Sequence, residues 1–116
     1  MFSFDYEKVG QARDIVAVVL HGNLDESNCH YLLDCVEEEI LEGRTKLILD
    51  CGRLEYVSSM GLGMLVRVNS RMKKLGGDVK LAAVQGTVAQ ILSVVGLNRL
   101  FQMYPTVTDA IAAHGG

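Results

Sequence analysis

The chain has 116 residues, of which 49% are hydrophobic and 22% charged, and its formal net charge is −3 at pH 7. These values predict one ordered globular domain over residues 1–116 with a single core. The acidic balance argues against nucleic-acid binding, which needs clustered cations to neutralise phosphates. No apolar run could cross a bilayer and the first residues lack a signal-peptide pattern, so we expect a cytoplasmic protein without membrane insertion.

The cysteines and histidines show no metal-site spacing. No two cysteines form a C-x-x-C pair, and the three histidines are scattered along the chain. We therefore predict buried free thiols, no metal and no other cofactor. The residues concerned are Cys29, Cys35 and Cys51, with His21, His30 and His114.

The first part of the chain predicts a hairpin followed by a helix. Residues 2–7 alternate apolar and polar side chains, and residues 15–20 form a continuous β-branched run typical of a central strand, so the two are expected to pair through a turn at Gly10. Asp25 precedes apolar residues at helical spacing. The first helix is predicted to begin there and to end at Gly43.

Strands and helices alternate along the remainder. Strands are predicted at 46–50, 79–84 and 100–104, and helices at about 59–75, 87–95 and 109–114. This alternation predicts an α/β fold with a mixed, mostly parallel sheet flanked by about four helices.

Ser58 and Ser59 stand where a strand gives way to the second helix. The free amides of a first helical turn favour an anion, and Gly61 and Gly63 allow another molecule to approach the backbone. The serines are either simple helix caps or a phosphate-accepting site. A serine nucleophile is a weaker alternative, because the surroundings are not the G-x-S-x-G elbow and no base is singled out.

The second helix carries two further patterns. Its apolar residues cover more than one core-facing stripe, so it is either partly exposed as a protein interface or wedged deeply into the core. These residues are Leu62, Met64, Leu65, Val66 and Val68. Arg67, Arg71 and Lys74 share one face, which is either plain solvated surface or a contact for acidic groups of a partner.

Five segments together resemble the STAS domain and, within it, the bacterial anti-sigma factor antagonists. They lie at 18–25 (V-V-L-H-G-N-L-D), 47–50 (L-I-L-D), 56–63 (Y-V-S-S-M-G-L-G), 76–78 (G-G-D) and 95–101 (V-G-L-N-R-L-F). The resemblance implies a single STAS-type domain that binds an anti-sigma factor and so frees a sigma factor, without being an enzyme. The partner it implies is also a GHKL-type serine kinase, and a phosphatase would reset the modified form.

The same resemblance assigns the site. The family pattern D-S-[ST]-G-L, aligned on Gly61 and Leu62, places the phosphate acceptor on Ser59. Ser58 then replaces the usual aspartate, and Met60 replaces the usual serine or threonine. Both neighbours of Ser59 therefore depart from the family pattern.

Two carboxylates are expected beside the acceptor. Asp25 matches the aspartate of the family's G-x-[LI]-D segment, and Asp50 matches the aspartate that ends the second long strand. Both are expected to line the Ser59 site. The alternative roles are a helix N-cap for Asp25 and a loop-fixing hydrogen bond for Asp50.

The resulting hypothesis is a binding switch. Unmodified protein docks the anti-sigma factor through residues that include Leu62, Met64, Arg67 and Arg71, and phosphorylation of Ser59 prevents docking. The alternatives are a constitutive STAS scaffold subunit of a transporter or signalling complex and, less favoured, a small serine hydrolase.

Overall fold

The computed structural model describes residues 3–9 and 14–115. Within them, strands and helices alternate after an initial hairpin. The elements in chain order are β1 (Ser3–Val9), β2 (Ile15–Leu24), α1 (Cys29–Leu41), β3 (Lys46–Val57), α2 (Ser59–Lys74), β4 (Asp78–Ala82), α3 (Gly86–Val94), a 3₁₀ turn (Leu97–Arg99), β5 (Gln102–Tyr104) and α4 (Val107–Ala113).

The five strands form one sheet in the order of the chain, β1-β2-β3-β4-β5. β1 runs antiparallel to β2, and the other three pairs are parallel. Parallel neighbours cannot be joined by tight turns, so α1, α2 and α3 serve as the crossovers. The predicted α/β class and the hairpin are confirmed, whereas the turn predicted at Gly10 lies outside the described residues.

The core lies on both faces of the sheet. The larger cluster packs α1, α2 and α3 against one face, and the smaller one packs Ala110 of α4 against Ile15 and Ile48 on the other. Burial of the 15–20 run follows from this layering, because a strand covered on both faces needs apolar residues at nearly every position. Cys29, Cys35 and Cys51 are buried free thiols, as predicted.

Helix α2 begins at Ser59 as predicted, but α1 begins later than predicted. The predicted start at Asp25 is wrong, since residues 25–28 form a turn and Asn28 occupies the N-cap position of α1. In this turn the carbonyl of Asp25 accepts hydrogen bonds from the amides of Asn28 (3.2 Å) and Cys29 (2.9 Å). Asp25 is therefore not the N-cap of α1.

Strands β2 and β3 extend beyond their apolar runs, to Leu24 and Val57. The two strand ends pair with each other, although the register shifts twice between Val19 and Asn23. This extension carries the chain to the edge of the sheet where α2 begins, and it positions the candidate site.

Candidate functional site

Ser58 is the N-cap of α2. Its backbone is extended (φ −78°, ψ 173°), and its hydroxyl oxygen accepts a hydrogen bond from the amide of Gly61 at 3.1 Å. Its own amide donates to the carbonyl of Leu24 at 2.9 Å. Of the two serines, Ser58 is therefore the helix cap, and its hydroxyl oxygen already accepts a hydrogen bond.

Ser59 is the first residue of α2, and its side chain is exposed. The hydroxyl makes no hydrogen bond to any residue that the structure describes, and within the same ranges the amides of Ser59 and Met60 are also unpaired. Free amides at a helix start attract anions. An exposed hydroxyl beside such amides suits a group that receives a phosphate.

Gly61 allows α2 to start directly against the ends of β2 and β3. A Cβ there would clash with the carbonyl oxygen of Leu24 and would lie 2.9 Å from Cγ1 of Val57. Gly63 differs, because a Cβ there would meet nothing within 4 Å. Gly61 is thus required by packing, whereas Gly63 leaves an open patch of backbone on the exposed side of α2.

Asp25 lies next to the site along the backbone, one residue after Leu24. Its carboxylate accepts hydrogen bonds from the Ser27 hydroxyl (2.6 Å) and the Ser27 amide (2.9 Å). These bonds, the hydroxyl's first, hold the pKa of Asp25 below its usual value. Asp25 is therefore a fixed negative charge near the start of α2 at neutral pH.

Asp50 lies within β3 and not at the start of α2. It lies in the middle of β3, opposite Val19 and Ala82, and its carboxylate accepts a hydrogen bond from the amide of Gly52 at 3.0 Å. At the usual rise of an extended strand, the distance along β3 to Val57 is roughly 20 Å. The predicted end of this strand at Asp50 is wrong, because β3 continues to Val57, and Asp50 makes a local hydrogen bond within it.

Apolar surface near Ser59 comes mainly from two exposed side chains. Met60 is 60% exposed and Tyr56 is 47% exposed. Leu62 and Met64, which the sequence singled out for partner contact, are only partly exposed and pack against the edge of the core. Met60 offers more surface to a partner than either, although its high exposure could not be inferred from helical spacing at a helix end.

A groove of about 340 Å³ runs between α1 and α2. It is lined by the three cations predicted to share a face, namely Arg67, Arg71 and Lys74, together with Leu33, Glu37 and Ser70. Across the groove, the Glu37 carboxylate accepts two hydrogen bonds from the Arg71 guanidinium, at 2.7 and 3.1 Å. This interaction lowers the pKa of Glu37.

The Glu37–Arg71 pair was missed by sequence reasoning. Glu37 stands in a run of three glutamates that reads only as a solvated helix face, and no sequence spacing links it to α2. Because of this pair, the Arg71 charge is already matched within the chain. Arg71 is therefore less available to a partner than Arg67.

Across residues 3–9 and 14–115, no group of three or more histidine, cysteine, aspartate or glutamate side chains is placed to hold a metal ion. In the same part of the chain, no helix has both the length and the apolar character needed to span a membrane.

Comparison with known proteins supports a regulatory role. The family model for the STAS domain matches residues 6–110. A candidate anti-sigma factor antagonist from Thermotoga maritima is 27% identical over 99 residues, covering 84% of this chain and 88% of the relative. The anti-sigma-F factor antagonist RsfB of Mycobacterium tuberculosis is 24% identical over 110 residues, covering 93% and 88%.

The fold is also found in solved structures. The crystal structure of a candidate anti-sigma factor antagonist from Thermotoga maritima has a TM-score of 0.87 and 25% identity, covering 97% of this chain and 95% of that chain. These proteins are named as anti-sigma factor antagonists. The prediction that the chain is not an enzyme is thereby confirmed, and the serine hydrolase alternative has no support among them.

Proposed function

Since the chain belongs to the STAS domain family, we propose that it is an anti-sigma factor antagonist that binds an anti-sigma factor and so releases a sigma factor. The names of its relatives support the binding role. We further propose that phosphorylation of Ser59 switches this binding off, that the kinase is the anti-sigma factor itself, of GHKL type, and that a phosphatase reverses the change. Action in the cytoplasm is part of the same proposal.

The observation that carries the switch is the difference between the two adjacent serines. Ser58 uses its hydroxyl to cap α2, whereas the hydroxyl of Ser59 is exposed and forms no hydrogen bond within the described residues. A kinase can therefore modify Ser59 without breaking the helix cap. This supports Ser59 as the acceptor, even though serine stands where the family usually has aspartate.

The expected effect of phosphate follows from charge and solvation. A phosphoserine carries about −1.5 to −2 charges at pH 7, and its burial in an interface built around a neutral hydroxyl costs desolvation. The exposed side chains of Met60 and Tyr56 indicate that this surface is partly apolar. The nearby Asp25 carboxylate adds repulsion to any acidic group brought close, while the free amides of Ser59 and Met60 stabilise the modified chain.

The proposed docking surface extends from Ser59 along α2. It includes the apolar side chains of Met60, Leu62 and Met64 and the cation of Arg67. Arg71 belongs to this surface as half of its ion pair with Glu37 and not as a free charge. No large conformational change is needed, because a charge added within an interface is enough to weaken it.

The test uses the cognate anti-sigma factor and three single variants. Ser59→Ala should bind constitutively and take up no phosphate, whereas Ser59→Asp should bind at least about tenfold more weakly, the weakening expected for one charge desolvated in an interface. Ser58→Asp is the matched control, because aspartate is also a good N-cap and restores the family pattern. This variant should still be phosphorylated on Ser59, as intact mass and peptide fragmentation would show.

Equal affinity of the Ser59→Ala and Ser59→Asp variants would contradict the switch and would favour the constitutive scaffold. Phosphate found on Ser58 instead of Ser59 would contradict the assignment of the acceptor.

A further inference from the structure

All the charged side chains of α2 are basic. The helix carries Arg67, Arg71, Lys73 and Lys74 and no acidic residue, although the whole chain has a net charge of −3. Two of these cations are matched internally: Arg71 pairs with Glu37, and Lys73 pairs with Asp78 at 2.7 Å. Arg67 and Lys74 form no ion pair with any described residue, and both are exposed.

The two unmatched cations line the same groove between α1 and α2. The groove also contains Arg71 and Glu37, whose charges cancel, so its remaining charge is +2. A concave surface with this charge attracts carboxylates and accelerates encounter with an acidic partner.

The distance between the two unpaired cations indicates how far apart the carboxylates of a ligand should be. Arg67 and Lys74 are seven residues apart, which is about 10 Å along a helix. Ser70 lies between them on the same face, and the half-buried Leu33 of α1 provides the apolar part of the lining. Two carboxylates seven residues apart on a second helix would match this spacing, with an apolar side chain between them directed at Leu33.

We propose that this groove docks an acidic helix of the partner protein, with carboxylates at positions i and i+7. The proposal rests on the proposed function for the identity of the partner, the anti-sigma factor. It adds a second contact area, centred about three turns from Ser59, whose chemistry is charge pairing and not the apolar contact expected at the start of α2.

A polypeptide fits the groove better than a small anion. The cations that line the groove all come from α2, on long side chains. The ion pair between Glu37 and Arg71 places a carboxylate among them. A compact multivalent anion would meet that carboxylate at close range. Carboxylates spread along a helix can contact Arg67 and Lys74 separately, one on each side of Arg71 along α2.

The direct probe is a pair of synthetic fluorescent helical peptides. One carries glutamates at i and i+7 with leucine at i+4, and the other has glutamine in place of both glutamates. Fluorescence anisotropy with the full chain should show at least about tenfold tighter binding of the glutamate peptide at low salt, and the difference should shrink as ionic strength rises. Equal binding of the two peptides would overturn the proposal.

Adjacent lysines provide the matched protein variants. Lys74→Gln should weaken binding of the glutamate peptide about fivefold or more, whereas Lys73→Gln, an identical change at the neighbouring residue outside the groove, should leave it nearly unchanged. Equal losses would show non-specific attraction and would overturn the proposal. Displacement of the peptide by inorganic pyrophosphate at equal concentration would indicate a small-anion site and would also overturn it.

The same variants separate this inference from the proposed function. If the unmodified chain binds its anti-sigma factor and Lys74→Gln binds as well as Lys73→Gln, the groove proposal fails and the antagonist role stands. If no anti-sigma factor binds the chain but the peptide result holds, the antagonist role fails and the groove remains an acidic-helix site for a different partner.

Discussion

The amide of Ser58 donates to the carbonyl of Leu24 over 2.9 Å, and this bond joins the end of β2 to the start of α2. Leu24 is fully buried, so its position is fixed by the core. The exposed Ser59 is therefore presented from a rigid base. A modification there changes surface charge without first having to order a loop.

The two serines should respond differently to removal of the hydroxyl. Ser58→Ala should lower the free energy of unfolding by about 1 kcal/mol, because the Gly61 amide loses its acceptor. Ser59→Ala should change it by less than about 0.5 kcal/mol, because no described residue depends on that hydroxyl. Urea denaturation monitored by circular dichroism gives both values, and the reverse order would contradict the assignment of the cap.

The two glycines of the same turn form a second matched pair. Gly61→Ala should destabilise the fold by about 1–3 kcal/mol, since the new methyl group would clash with the Leu24 carbonyl and crowd Val57. Gly63→Ala should stabilise it by about 0.5–1 kcal/mol, because alanine is the better helix former and the space is open.

The Gly63→Ala variant can also be tested for its affinity for the anti-sigma factor, which need not follow its effect on stability. If a partner backbone approaches α2 closely at this point, Gly63→Ala should weaken binding of the anti-sigma factor while it stabilises the free chain. Unchanged affinity in a competition assay would show that the interface does not include this part of α2.

The order of the elements could be predicted because each carries a strong local pattern. The continuous 15–20 run and the spaced apolar residues of α2 specify their states without reference to the remainder of the chain. The start of α1 could not be predicted in this way. Asn28 binds the Asn23 carbonyl through its amide nitrogen (2.8 Å) and the Asp25 amide through its oxygen (2.9 Å), so a contact back to β2 determines where the helix begins.

The same limit applies to the site. Helical spacing correctly placed Arg67, Arg71 and Lys74 on one face. It could not show that Arg71 forms an ion pair with Glu37, which lies on another helix and 34 residues away. The predicted end of β3 at Asp50 is wrong for a related reason. The length of β3 depends on its pairing with β2, which continues through polar residues that no apolar pattern marks.

His114 should make stability fall as the pH drops below about 6.5. Its Nε2 lies 3.0 Å from the Leu47 carbonyl and links the end of α4 to β3, and burial lowers its pKa below the usual 6.5. Because the unfolded chain takes up a proton first, stability is full above about pH 6.5 and is lost as the pH falls towards the lower folded-state pKa. The charged groups near His114 are those of Asp14, Lys46, Asp78 and Lys80.

The matching variant is His114→Gln, which keeps a side-chain donor for the Leu47 carbonyl but does not titrate. Urea midpoints at pH 7.5 and 5.5 should differ less in this variant than in the unmodified chain. Asp78 does not disturb the comparison: although burial alone raises its pKa, hydrogen bonds from Lys73 and Lys80 hold it at about 2. Equal pH dependence in both proteins would exclude His114 as the source.

The Glu37–Arg71 pair should restrain binding at the groove more than it stabilises the fold. Both side chains are about two-fifths exposed, at 39% and 40%, so solvent screens the pair and it adds little to stability. Glu37→Gln should therefore leave the unfolding midpoint nearly unchanged while it raises the groove charge from +2 to +3. The affinity for the glutamate peptide should rise about threefold or more.

Glu38→Gln makes the same charge change at the neighbouring position, which does not line the groove. An equal gain in both variants would show that only net charge matters, whereas a gain confined to Glu37→Gln would show that Arg71, once released, joins Arg67 and Lys74 in binding carboxylates.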